Sequence, residues 1–183
     1  MAKKKKRNIK KEQVLYPSAV MLKEDCYNEY QRLIETYDKI YEKVNIMLAF
    51  CGVVLLVILS KVDISRYMLL FQTEEKALFI ISLLYCVAIT ISAWFIFTSV
   101  VHLLNLLKGK KMVVFDSIAI RNEKIYESQE ESAALWLIQK YTDSISSIQN
   151  VIKEKQDEYD KTVIKVIISL MAYAVALLLE KGI

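Results

Sequence analysis

The chain has 183 residues, enough for one domain, and is 55% hydrophobic with only three glycines and one proline, Pro17. Strand turns depend on Gly, Pro and Asn-Gly pairs, so this composition excludes a punctuated β fold and predicts long, seldom-broken helices. The formal charge of +4 is segregated: seven of the 25 Lys/Arg lie in the opening "MAKKKKRNIKK", leaving 18 bases against 21 acids in the rest.

That opening forms a basic tail over residues 1–18. Lys3, Lys4, Lys5, Lys6, Arg7, Lys10 and Lys11 suit the anionic surface of a membrane better than a nucleic-acid groove. A secretory leader would place its apolar core soon after the basic start. Here about thirty residues of polar, helix-patterned sequence follow, so the tail is expected to stay as a cytoplasmic segment.

Residues 19–43 read as a cytoplasmic stalk helix. Leu22, Cys26, Tyr30, Leu33, Tyr37, Ile40 and Val44 step by four and three, which marks one apolar seam. The seam leads into a first apolar run, residues 44–60, just long enough at about 1.5 Å per residue to cross a thin hydrocarbon core. Residues 61–76, "KVDISRYMLLFQTEEK", carry three bases and three acids, with Tyr67 and Phe71 placed for an interface. A second apolar run, 77–107, exceeds one span and ends in "HLLNLLKGKK". The two runs predict a helical hairpin. Its basic flanks, the amino-terminal tail and Lys108, Lys110 and Lys111, put both ends of the hairpin in the cytoplasm.

Residues 108–130 form a connector in which "FDS" fits the start of a short helix. A second stalk helix, 131–161, repeats the seam through Ala134, Ile138, Tyr141, Ile145, Ile148, Ile152, Lys155 and Tyr159. It leads into an apolar run at 162–179. Lys165 lies within a turn of the start of that run, so its stem can carry the ammonium back to the headgroups beside Lys161. We therefore expect a third span with the carboxyl end outside. The alternative is a soluble helix buried among neighbours, but such a helix normally keeps one polar face, and 166–179 has almost none.

The fold class expected is all-α: an integral membrane helical protein with a two-span hairpin, a third carboxy-terminal span and long helices extending into a cytoplasmic stalk. The stretch 112–160 has ten acids to five bases, and 12–43 has seven to four, which argues against nucleic acid as a partner. Cys26, Cys51 and Cys86 have no metal-ligand spacing, and His102 is the only histidine. No glycine-rich phosphate cradle, nucleophile elbow or zinc motif is present. The chain is expected to be no enzyme and to hold no cofactor, with Trp94 and Trp136 serving packing.

Each apolar run carries a stripe of small or polar residues: Asn45, Ala49 and Gly52 on the first; Ser82, Tyr85, Ser92 and Ser99 on the second; Lys165, Ser169, Ala172 and Ala176 on the third. Such stripes serve close helix packing in lipid, or line a polar path in an oligomer. Ser82, Tyr85, Ser92, Ser99, Lys165 and Ser169 are the candidate pore or packing residues.

With "YNEYQRLIETYDKIYEKVN" before the hairpin and "LWLIQKYTDSISSIQNVIKEKQDEYDK" after it, the layout resembles the SLATT proteins, small bacterial membrane effectors associated with anti-phage defence. The apolar end of this chain departs from their pattern. The resemblance implies a pore-forming or membrane-perturbing homo-oligomer in the cell (inner) membrane, triggered through its cytoplasmic helices by a soluble sensor or partner protein. A non-conducting scaffold that recruits a soluble partner is the other expectation.

Overall fold

The computed structural model describes residues 18–62, 67 and 75–180. The basic tail with Lys3, Lys4, Lys5, Lys6, Arg7, Lys10 and Lys11 lies outside the described residues, as does Phe71. Those described are helical with no strand among them: α1 spans Ala19–Ser60, α2 Lys76–Leu106, α3 Ser117–Asn122 and α4 Glu130–Glu180, with a 3-10 turn at Ile125–Glu127. Three of these, α1, α2 and α4, are long and apolar enough to cross a membrane. The expected stalk segments run on into the apolar runs as continuous helices, 19–60 and 130–180 each being one unbroken helix.

The chain divides into two compact units, Met1–Ile34 with Met112–Ile148, and Glu35–Lys111 with Gln149–Ile183. In the first, the described core is aromatic. The Tyr141 ring lies 4.9 Å from Phe115, 5.6 Å from Tyr30 and 5.8 Å from Tyr27, centroid to centroid. Phe115 comes from the connector, which is tied down further by a Val113 N–H donating to Ser147 Oγ at 2.9 Å and by Trp136 Nε1 donating to Glu123 at 2.6 Å. "FDS" does start a helix: the Asp116 carboxylate accepts from the Ile118 N–H at 2.9 Å and caps α3. Lys124, with φ 52°, then breaks the helical path. Glu130 and Glu131 open α4, where carboxylates favour the positive end of the helix dipole. Leu22, expected on the seam, is exposed, and the first turn of α1 is buried at Ala19 instead.

In the second unit three helices pack together. Ile40, Val44, Cys51 and Ile58 of α1, Ile96, Leu103 and Leu106 of α2, and Val166 of α4 form one cluster. Tyr85, Ala88 and Ile89 of α2 form a second with Ala176 of α4. Tyr41 meets Lys155 and Lys61 meets Glu180, so α1 and α4 run the same way here. Ser92 meets Ser169 while Leu106 meets Lys155, so α2 runs opposite to α4.

Burial on all three helices follows a seven-residue step. Tyr30, Tyr37, Val44, Cys51 and Ile58 are buried on α1; Ser82, Ile89, Ile96 and Leu103, with Tyr85, Ser92, Ser99 and Leu106, on α2; and Ala134, Tyr141, Ile148, Lys155, Thr162, Ser169 and Ala176 on α4. A strict seven-residue repeat keeps one seam turned toward its partners. It also corrects the expected stripe on the first apolar run. Asn45 and Ala49 are exposed, and a Cβ at Gly52 would meet nothing within 4 Å, so the packed face is Val44, Cys51 and Ile58 instead. Trp94, expected to pack, is exposed beside Phe97 on the outer face of α2.

Candidate functional site

Ser82, Tyr85, Ser92, Ser99 and Ser169 are all buried in the second unit, and Lys165 is half-buried. Ser92 Oγ donates to the Ser169 carbonyl and Ser169 Oγ to the Ser92 carbonyl, both at 2.8 Å. Two hydroxyls thereby clamp α2 to α4, at a point where short side chains let the backbones approach. Ser99 Oγ donates to the Phe95 carbonyl of its own helix at 2.8 Å, and Tyr85 Oη donates to the Lys61 carbonyl at 2.9 Å, meeting a carbonyl left over at the end of α1. Tyr67 Oη donates to the Cys86 carbonyl at 3.4 Å, so this tyrosine packs back on α2.

The outer faces have the reverse character. Ile46, Val53 and Leu56 on α1, Ile80, Leu84 and Phe97 on α2, and Ile164, Met171 and Leu178 on α4 are exposed. In water, leaving leucine and isoleucine outside while burying serine would forgo most of the hydrophobic stabilisation. In hydrocarbon it is the expected arrangement.

Below the serine clamp lies a polar hub. Lys155 is 1% exposed at a core position of α4. Its Nζ donates to the Leu106 carbonyl, to the Lys108 carbonyl at 3.2 Å and to Tyr41 Oη at 3.0 Å, and sits 4.3 Å from the centre of the Tyr41 ring. A cation at the carboxyl end of α2 satisfies carbonyls without an intrahelical partner and complements the negative end of the dipole. The Tyr37 and Tyr41 hydroxyls are 2.7 Å apart. Burial pushes both phenols up, and Tyr37, hydrogen-bonded to Tyr41, stays well above the ordinary tyrosine value. Tyr41 ends below it, because the hydrogen bonds from Tyr37 and Lys155, with the Lys155 charge, outweigh its burial. No carboxylate among the described residues meets Lys155, so a buried charge is held by carbonyls, a phenol oxygen and ring faces alone.

One turn further along α4 a cavity of about 300 Å³ opens between α4 and the last turns of α2, lined by His102, Asn105, Glu158, Lys161, Thr162 and Lys165 among others. Sequence reasoning placed Lys165 beside Lys161 but gave His102 no companions. The fold supplies them, because His102 and Asn105 lie one turn apart on α2, and Lys161 and Lys165 one turn apart on α4. Among the described residues no group of three or more His, Cys, Asp or Glu side chains is placed to hold a metal ion. Comparison with protein-family models, with curated proteins and with solved structures found no match.

Proposed function

We propose that the chain is an oligomeric, non-enzymatic membrane effector of the SLATT-like kind, pore-forming or membrane-perturbing, acting in bacterial anti-phage defence. The observation that carries this reading is the outer surface of α1, α2 and α4 in the second unit, where large aliphatic and aromatic side chains stand exposed around a core that also holds serines. Three spans in the cell membrane account for it. Orientation follows from charge: Lys108, Lys110, Lys111, Lys161 and Lys165 gather toward one end of the apolar segments, while the other end holds the Lys61–Glu180 pair, at 3.2 Å. The basic end is assigned to the cytoplasm and the carboxyl terminus to the far side. Because α1 and α4 are unbroken, an event sensed on their polar halves, such as docking of a soluble sensor, can turn or shift their apolar halves.

A second reading has its own support. The serines that would line a conducting path are occupied within one protomer, by Ser92–Ser169 and by Ser99 with its own helix, and the outward faces are apolar. A non-conducting scaffold needs no further change, whereas an effector must release that stripe when triggered. The test is membrane potential, read by a voltage-sensitive dye in bacteria induced for wild type or Lys165→Leu at matched membrane levels. Depolarisation by wild type that is lost in the variant supports the effector. A fully inserted wild-type chain that leaves the potential unchanged and forms a stable complex with a soluble protein supports the scaffold.

A further inference from the structure

The cavity at the basic end of the second unit has the features of an anion site. Lys161 and Lys165 are four residues apart on α4, so both ammonium groups share one face, and among the described residues neither makes an ion pair. His102 and Asn105 face them from α2 and add ring and amide N–H donors. The one acid on the lining, Glu158, has its carboxylate 3.7 Å from Lys110, which also holds Glu154 at 2.9 Å, so its charge is drawn outward. The Thr162 hydroxyl donates to the Glu158 carbonyl at 2.8 Å. Two cations, an imidazole and an amide converge on a space of about 300 Å³, the lower end of what a small ligand needs.

The surroundings select the kind of anion. Ile164 and Ile168 of α4 stand beside Lys161 and Lys165 on the helix surface and are exposed, so the site is polar at its centre and apolar along its α4 border. A free anion would gain nothing from that border, whereas an amphiphile would cover it. We propose that the cavity binds the phosphate of an anionic phospholipid, with the headgroup between His102, Asn105, Lys161 and Lys165 and the acyl chains along Ile164 and Ile168. Basic pockets between spanning helices on the cytoplasmic side suit such headgroups. The proposal rests on the reading that α2 and α4 enter the bilayer. It makes Lys165 a lipid ligand that ties α4 to α2.

The experiment uses the full purified chain in a mild neutral detergent. Its thermal unfolding is followed during titration with dioleoyl-phosphatidylglycerol, dioleoyl-phosphatidylcholine or inorganic phosphate. A background with Lys3, Lys4, Lys5 and Lys6 changed to Gln removes the contribution of the tail. We expect phosphatidylglycerol to raise the midpoint in wild type and in the tail background. Lys161→Gln/Lys165→Gln should need at least tenfold more of it, and Lys161→Arg/Lys165→Arg should respond as wild type does. Equal response of the Gln variant overturns the site. Equal stabilisation by phosphatidylcholine overturns the anion, and equal stabilisation by inorganic phosphate overturns the lipid. Should the Gln pair fail to fold, His102→Leu with Asn105→Leu tests the same site from the α2 side, under the same expectation and the same overturning result. Carbonate extraction of the source membranes scores insertion separately: a chain released by carbonate refutes the spanning reading, while a retained chain indifferent to phosphatidylglycerol refutes the cavity alone.

Discussion

The two compact units repeat one seven-residue seam but turn opposite faces outward. In the first unit the buried positions carry Tyr30, Leu33, Tyr141 and Ile148, with Phe115 laid on top, while the outward positions of the helices are rich in Glu, Asp and Lys. In the second, the buried positions hold Val44, Ile58, Ile89, Ile96 and Leu103 together with Ser92, Ser99 and Ser169, while Ile46, Leu56, Trp94 and Leu178 turn outward. The seam is a matter of helix geometry and serves in either solvent; what stands on the outward face depends on what surrounds it. In water, large side chains are driven together because burial removes them from the solvent. In lipid that force is absent, and close backbone approach with interhelical hydrogen bonds does the joining.

The largest expected break in this comparison is at Lys155, the one position of the α4 seam that carries a full charge. Lys155→Ala would leave the Leu106 and Lys108 carbonyls without this donor and take one of the two hydrogen bonds from the Tyr41 hydroxyl. Buried groups left unsatisfied cost about 1–3 kcal/mol each, and water entering the gap recovers part of that. We expect a loss of about 4 kcal/mol, read as the shift of unfolding in detergent followed by tryptophan fluorescence. Lys155→Met restores volume but no donor and should recover less than half; full recovery would mean that Lys155 only fills space.

Surface substitutions sharpen the contrast next. Val53 on α1 is 63% exposed and Ile118 on α3 is 61% exposed, so by exposure alone they are equivalent. A lysine near the centre of a span costs about 3 kcal/mol, whereas an exposed substitution in water stays within about 0.5 kcal/mol. Val53→Lys should therefore lower the carbonate-resistant fraction several-fold while Ile118→Lys leaves it unchanged. Equal behaviour of the two would place both residues in the same solvent and remove the basis for the comparison.

Much of this was legible in the sequence, for identifiable reasons. The α2 face of Ser82, Tyr85, Ser92 and Ser99 shows in the spacing alone, because a polar residue recurring every seventh position in an apolar run has few places to go. The face of the first apolar run was misread, since Asn45 and Gly52 attract attention as small or polar residues. Extending the Tyr30, Tyr37, Val44 step by sevens would have reached Cys51 and Ile58 instead. Lys155 could be seen to occupy a core position, which is a signal in itself. Its partners could not be seen: Tyr41, Leu106 and Lys108 come from segments 114, 49 and 47 residues away. The cavity was hidden for the same reason, its two halves lying on different helices.

The smallest effect separates two accounts of the serine seam itself. If hydrogen bonding holds α2 to α4, removing the hydroxyls matters most; if close approach does, adding bulk matters most. Interhelical hydrogen bonds in bilayers average about 0.6 kcal/mol, so Ser92→Ala and Ser169→Ala together should cost about 1 kcal/mol. Ser92→Leu forces extra carbons into a filled seam and should cost about 2 kcal/mol, within the range seen for overpacked cores. The ratio between them, measured by unfolding the full chain in detergent, is the informative quantity. A Leu variant costlier than the Ala pair means the seam is built for proximity, with the hydroxyls satisfying carbonyls that small side chains have brought near. A Leu variant tolerated as well as the Ala pair means the helices can part at Ser92 with little penalty. That second outcome favours an effector whose polar stripe is released on triggering over a scaffold that keeps it shut.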